Sequence, residues 1–198
     1  MSRIFLSLAV LNSLALAATY ALGFVVDAHA PDEAAQRLFT SHFLIGLFTA
    51  VFTLLVHSVV FTYFVGTGRW VKEIGESYPL KPDFSRRSRK LKRRAFAWAL
   101  SAMVAAIATA VFGAASDTAP RLGWEGWAGL SPTHLHWLAA TVTIAFNTAA
   151  YFGEFVVIRA NMQLIHEVMS EVKRIRTDHG LAPDSPVRAV SQSRSGSA

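Results

Sequence analysis

The sequence predicts an all-α, polytopic integral membrane protein: a bundle of four transmembrane helices in which the second and fourth helices extend into the cytoplasm. Three observations support this. Hydrophobic residues make up 53% of the 198 residues and charged residues only 16%, whereas soluble domains carry about 25% charged residues. The mean hydropathy is positive, at +0.36. The charges are also concentrated in short segments between long uncharged ones, as in a chain that crosses a bilayer several times.

The absence of cysteine excludes several kinds of chemistry. The chain has no Cys, so disulfides, Cys-ligated zinc, iron–sulfur clusters and thiol catalysis are ruled out. The net charge is +6. Because the basic residues lie beside apolar segments, they indicate anionic lipid headgroups as partners rather than nucleic acid.

Four segments are long enough to cross a bilayer, which requires about 20 apolar residues in a helix. They are residues 4–26, 39–65, 95–115 and 133–158. The first three contain no charged residue, and the fourth contains only Glu154. Ser131-Pro132 is typical of an N-cap followed by proline in the first turn, so the fourth helix is predicted to begin there.

The first segment has two interpretations. Arg3, an apolar run and the small-residue pattern Ala15-Leu16-Ala17 resemble a cleavable signal peptide. The apolar run continues to Val26, however, which is long enough to span. We favour an uncleaved helix, with the signal peptide as the alternative.

The distribution of basic residues predicts the orientation, because cytoplasmic loops are enriched in Lys and Arg. Most of these residues lie in segment 69–94, between the second and third spans, or after residue 158. Segments 27–38 and 117–130 contribute only Arg37 and Arg121. We therefore expect both termini in the cytoplasm and these two segments outside.

Two amphipathic helices are predicted beyond the spans. Gly66-Thr67-Gly68 indicates the end of the second transmembrane helix, and apolar residues then recur at helical spacing over 69–78. A similar pattern covers 159–177. We expect the two helices to pack on each other. Residues 1–178 thus form one transmembrane domain, and the Ser- and Arg-rich residues 179–198 are predicted to be disordered.

A basic run precedes the third span and is expected to face lipid headgroups. It determines topology, with specific binding of anionic lipid as the alternative. Its members are Arg86, Arg87, Arg89, Lys90, Lys92, Arg93 and Arg94.

A polar stripe follows one face of the second span and one face of the fourth. Its residues recur at steps of three and four, which places each set on one narrow helix face. The second span contributes His42, Gly46, Thr49, Thr53 and His57, and the fourth contributes His136, Ala140, Thr143, Asn147, Tyr151 and Glu154. Since polar groups avoid lipid, we expect the two faces to meet inside the bundle.

Both helices are predicted to run from outside to inside, so residues of the two faces can be paired by their depth in the membrane. His42 is level with His136. Thr49 and Thr53 are level with Thr143 and Asn147, respectively. His57 is level with Tyr151, and Glu154 lies about one turn nearer the cytoplasm.

Three functions are compatible with this pattern. In the first, which we favour, the stripe holds helices together in an accessory or scaffolding subunit of a larger membrane assembly, or in a homo-oligomer. In the second, His42 and His136 ligate haem b or a metal ion in an electron-transfer subunit. His134 is about 200° away on the helix and is not expected to join them. In the third, a proton or solute moves along the stripe.

An enzyme of the soluble type fits the sequence least well. The chain contains no phosphate loop, nucleophile elbow or paired-carboxylate motif.

Overall fold

The computed structural model describes residues 1–26 and 32–182, which form four α-helices and the segments that join them. The helices are α1 (Ser2–Gly23), α2 (Glu33–Ser77), α3 (Pro82–Leu122) and α4 (Pro132–Asp178). Each is long and apolar enough to cross a membrane. The prediction of an all-helical chain with four helices long and apolar enough to cross a membrane is therefore confirmed. Residues 27–31 and most of the predicted disordered tail lie outside the described residues.

Local signals in the sequence account for the helix ends. Asp32 caps α2, with its side chain accepting a 2.8 Å hydrogen bond from the backbone N–H of Ala35. Ser131 caps α4 in the same way, and Pro132 occupies the first turn, as the sequence predicts. The helix α3 ends at Gly123, whose φ of +63° lies in the left-handed region that favours glycine.

The helix α2 is continuous through Gly66-Thr67-Gly68 to Ser77. The predicted extension of the second helix is therefore present, whereas the prediction that these residues mark a helix end is wrong. A glycine inside a helix costs only about 1 kcal/mol relative to alanine. On either side of the glycines, the buried side chains of Phe64 and Val71 hold the helix against its neighbours. Tertiary packing thus outweighs the local preference.

The helix α3 begins thirteen residues before the predicted third span, at Pro82 instead of residue 95. The basic run is therefore helical and continues directly into the apolar segment. Ser88, in the middle of the run, is buried. At one end of the structure, three helices extend past the start of α1: the end of α2, the start of α3 and the end of α4. We call this the extended end. The sequence predicts only two of these extensions, those of the second and fourth helices.

Each helix packs on its neighbours in the chain, and α1 also packs on α4. The helices α2 and α4 lie diagonally opposite each other, so their backbones approach closely at few positions. Phe5 of α1, Val60 and Phe64 of α2, and Ile158 of α4 form much of the shared apolar core. This arrangement leaves a central space that only side chains reach.

The contact between α3 and α4 is close because one face of α3 consists of small residues. Ala95, Ala99, Ala102 and Ala106 recur at steps of four and three, and all are buried. Gly153 of α4 faces α3, where a Cβ atom at this position would lie 2.6 Å from Nε1 of Trp98.

Candidate functional site

His57 lies at the centre of the helix assembly and has hydrogen-bond partners at both ring nitrogens. Its Nδ1 lies 2.8 Å from Oε1 of Glu154, and its Nε2 lies 3.0 Å from Oδ1 of Asn147. The side chains of all three residues have no solvent exposure. Because His57 belongs to α2 and its partners belong to α4, these contacts join the two diagonal helices.

The hydrogen bonds determine where the protons lie around His57. Nδ2 of Asn147 donates to the carbonyl of Thr143 at 2.9 Å. Oδ1 of Asn147 therefore faces His57 as an acceptor, and Nε2 of His57 must donate. One further proton lies between Nδ1 and Oε1 of Glu154, since two lone pairs at 2.8 Å would repel each other. The pair has no net charge whether nitrogen or oxygen holds that proton, which suits a fully buried site.

Asn12 extends this network to α1. The ring of Tyr151 stacks on that of His57, with centroids 5.1 Å apart and an interplanar angle of 12°. Asn12 donates to the hydroxyl of Tyr151 and, at 2.9 Å, to Oγ1 of Thr53. Thr53 in turn donates to the carbonyl of Thr49 at 2.8 Å. Three helices thus share one buried polar core, which consists of Asn12, Thr53, His57, Asn147, Tyr151 and Glu154.

Thr49 and Thr143, which lie nearer the end opposite the extended end, do not contact each other. Oγ1 of Thr49 lies 3.1 Å from that of Thr19 on α1, and Oγ1 of Thr143 lies 2.7 Å from that of Thr109 on α3. Thr143 also donates to the carbonyl of Ala105 at 3.0 Å. Because α1 and α3 lie between the diagonal helices, each threonine bonds to an adjacent helix.

Seven residues of the predicted stripe are buried, although their partners differ from the predicted layers, whereas His42, Gly46, His136 and Ala140 are partly exposed. Thr49, Thr53, His57, Thr143, Asn147, Tyr151 and Glu154 are at most 6% exposed. His57 lies beside Tyr151 as expected, but it also reaches one turn in each direction to Asn147 and Glu154. Thr53 pairs with Asn12 instead of Asn147.

His42 and His136 lie together near the end of the structure opposite the extended end. Their ring centroids are 6.4 Å apart, and the rings meet edge to face at 78°. Nδ1 of His136 lies 3.2 Å from the carbonyl of Thr109, whereas Nδ1 of His42 is buried without a partner among the described residues. His134 is exposed and its Nδ1 lies 2.8 Å from Oγ of Ser131, away from the pair.

The surroundings of the two histidines limit what they can bind. A Cβ atom at Gly113 of α3 would lie 2.9 Å from Cε1 of His136, and one at Gly23 of α1 would lie 3.4 Å from Cε1 of His42. The backbones of two helices thus pack directly on the rings. Within residues 1–26 and 32–182, no group of three or more His, Asp or Glu side chains is placed to hold a metal ion.

The basic run divides into paired and unpaired residues. Arg87 donates to both carboxylate oxygens of Glu167 on α4, at 2.5 and 3.0 Å. This hydrogen-bonded guanidinium lowers the pKa of Glu167 below its ordinary value. Arg86 pairs with Asp83, and the ammonium group of Lys92 lies 5.8 Å from the ring centroid of Phe96. The other members, Arg89, Lys90, Arg93 and Arg94, are exposed.

Besides Ser88, three buried polar residues were absent from the predicted site. Asn12 is the main one, and a lone amide in an uncharged apolar segment was the available signal. Asn161 donates to the hydroxyls of Tyr63 and Thr67. Arg176, 8% exposed, donates to the carbonyl of Ala182 and so orders the chain just after α4. Such partners on other helices cannot be deduced from helical spacing.

Comparisons with protein families, with curated proteins and with solved structures found no match for this chain.

Proposed function

We propose that the four helices form a transmembrane bundle with both termini in the cytoplasm, and that the protein is an accessory or scaffolding subunit of a larger membrane assembly. The orientation rests on the concentration of basic residues at the extended end. Cysteines placed singly at the exposed positions Arg89 and Glu125 of this Cys-free chain test it. An impermeant maleimide applied to intact cells should label position 125 and spare position 89; the reverse pattern contradicts the orientation.

The buried polar core is the observation that carries the structural role. Both ring nitrogens of His57 and both donors of the Asn12 amide bind residues of other helices. Polar groups used in this way hold apolar helices together in a medium where the hydrophobic effect does not. The stripe thus stabilises the bundle, and the lipid-facing surface remains for a partner.

Photo-cross-linking from each outer face tests this role. Leu14, Phe48, Val111 and Phe152 lie one on each helix, and all are at least 60% exposed. A photoreactive amino acid is introduced at each position in turn in cells. We expect one or two adjacent faces to cross-link to the same membrane protein, either another subunit or a second copy of this chain. Lipid adducts alone from all four faces would contradict the role.

A metal site between His42 and His136 is the second candidate function. The proximity of the rings and the unpartnered Nδ1 of His42 favour it. Imidazole nitrogens suit first-row transition metals. A single ion fits this pair better than haem b, because the backbones of α1 and α3 pack against the rings where a porphyrin would lie. Such an ion would give the protein a role in electron transfer.

Metal analysis and visible spectra of the purified protein test the second candidate. His42→Ala and His136→Ala should each remove a bound metal or chromophore, whereas His134→Ala should retain it. Retention in the first two variants excludes the pair as ligands.

Proton movement is the third candidate, and it would use the polar core itself. Oε2 of Glu154 is buried and has no partner among the described residues, so the carboxyl group has one oxygen free for a further proton donor. Protein in liposomes with a pH-sensitive dye inside tests the idea. A flux that Glu154→Gln abolishes would support proton movement, and a flux equal to that of empty liposomes would exclude it.

A further inference from the structure

A groove with two arginines opens between the start of α1 and α4. Its volume is about 320 Å³. Arg3 from α1 and Arg159 from α4 line it, together with Leu6, Phe155, Gln163 and His166. From this geometry we propose that the groove binds the phosphate group of an anionic phospholipid, with the acyl chains running along Leu6 and Phe155. The site is separate from the basic run on α3, and it rests on the proposed placement of the helices in a membrane.

The depth of the groove suits a lipid headgroup. Arg3 immediately precedes the first apolar segment, and Arg159 immediately follows the fourth. Both guanidinium groups therefore lie where the hydrocarbon core gives way to the headgroup layer. Leu6 is 49% exposed one turn nearer the membrane centre, and Phe155 lies one turn before Arg159. A phosphate held by the arginines would thus have its acyl chains beside apolar side chains.

The arginines are available for an anionic ligand. Both are exposed, and in the described part of the chain neither guanidinium group has a carboxylate oxygen within 4.0 Å. The guanidinium of Arg159 lies 5.8 Å from the ring centroid of Phe155, which holds its side chain at the groove. Guanidinium groups present several N–H donors in a fork that matches phosphate oxygens.

The remaining polar residues distinguish among headgroups. Gln163 and His166 follow Arg159 at steps of four and three, so they continue the same face of α4 away from the membrane centre. They can donate hydrogen bonds to headgroup hydroxyls. None of the groove residues is acidic, so nothing there would pair with the amine of a zwitterionic headgroup. The lining therefore favours an anionic lipid without an amine, such as phosphatidylglycerol.

Lipid titration of the full-length protein in a neutral detergent tests the site. Phosphatidylglycerol is added, and native mass spectrometry counts the lipids retained per chain. Arg3→Gln and Arg159→Gln should each weaken retention of the tightest lipid about fivefold. Arg121→Gln, an exposed arginine near the end of α3 and outside both the groove and the basic run, is the matched control and should leave retention unchanged. Arg159→Lys should restore part of the loss, since it keeps the charge but loses the fork.

The same measurement contains the results that would overturn the site. Equal retention in wild type, Arg3→Gln and Arg159→Gln would show that the groove binds no lipid. An equal loss in Arg121→Gln would show general attraction by surface charge. Phosphatidylcholine retained as well as phosphatidylglycerol would refute the charge selectivity. Displacement of the lipid by millimolar inorganic phosphate would show that the arginines recognise a soluble phosphate. These outcomes are independent of whether a partner subunit exists.

Discussion

Nδ1 of His57 and Oε1 of Glu154 form a 2.8 Å hydrogen bond between α2 and α4, and neither side chain is exposed. The bond joins helices that are otherwise diagonal to each other. Because the pair shares one proton and has no net charge, it can lie in an apolar interior at an acceptable cost.

Loss of both partners should destabilise the fold by less than the sum of the two single losses. His57→Leu and Glu154→Leu each leave a buried polar group unpaired, and we expect each to cost about 2–4 kcal/mol. The double variant should cost less than the sum by at least about 1 kcal/mol. Unfolding in mixed micelles by increasing fractions of SDS measures these free energies. Strict additivity would mean that the contact contributes no coupling.

Asn12→Ala should be costly although Asn12 lies in an apolar helix. It removes the donors to the hydroxyl of Tyr151 and to Oγ1 of Thr53. We expect a loss of about 1–3 kcal/mol, measured by the same unfolding assay. Ser13→Ala is the matched control, because Ser13 bonds only to the carbonyl of Ala9 in its own helix; its effect should be within about 0.5 kcal/mol. Equal stability of the two variants would contradict the role of Asn12.

Gly153→Ala should disrupt the contact between α3 and α4. The new Cβ atom would lie 2.6 Å from Nε1 of Trp98, so the indole must move. Overpacking of this kind costs about 1–3 kcal/mol. The shift should also change the fluorescence of Trp98. This fluorescence is measured in a variant in which the other tryptophans are replaced by Phe.

Gly75→Ala is the control for that prediction. Apart from the adjacent residues and backbone of α2 itself, no atom of the described residues lies within 4 Å of a Cβ built at Gly75. The helix preference of alanine should therefore stabilise α2 by up to about 1 kcal/mol. A destabilised Gly75→Ala, or a neutral Gly153→Ala, would show that the packing differs from the one described.

The ion pair of Arg87 and Glu167 should make a small, pH-dependent contribution to stability. The pKa of Glu167 is lowered by the hydrogen-bonded guanidinium of Arg87. A carboxyl group whose pKa is lowered by folding stabilises the fold above its unfolded pKa, and the contribution is lost as the pH falls through the folded pKa. The pair should therefore contribute at neutral pH and lose its effect in acid, as the pH falls through the lowered pKa of Glu167.

A double-mutant cycle with Arg87→Gln and Glu167→Gln measures that contribution. Both side chains are more than 40% exposed, so we expect a coupling of only about 0.2–1 kcal/mol at pH 7 and less at high salt. Arg69→Gln and Glu73→Gln form the control cycle, because both residues of that ion pair belong to α2 and the pair does not join two helices. A coupling of Arg87 and Glu167 that persists at pH 3 would show that packing rather than charge holds them together.

The sequence alone determined which segments are apolar spans and which residues share a helix face. Whether a stretch of about 20 residues can cross a bilayer depends only on those residues. The start of α4 after Ser131 is equally local, because an N-cap bonds to its own helix. Helical spacing likewise sufficed to place Thr53, His57, Asn147 and Glu154 on two narrow faces.

Only the tertiary structure decided the partners and the extents of the helices. The periodicity of α2 indicates that His57 and Thr53 lie on the same helix face. It does not indicate that His57 contacts Glu154 or that Thr53 contacts Asn12. The continuation of α2 through Gly66 depends on the neighbouring helices that bury Phe64 and Val71. Contacts of this kind join residues far apart in the chain, so no local pattern contains them, and the free energy of packing between helices selects them.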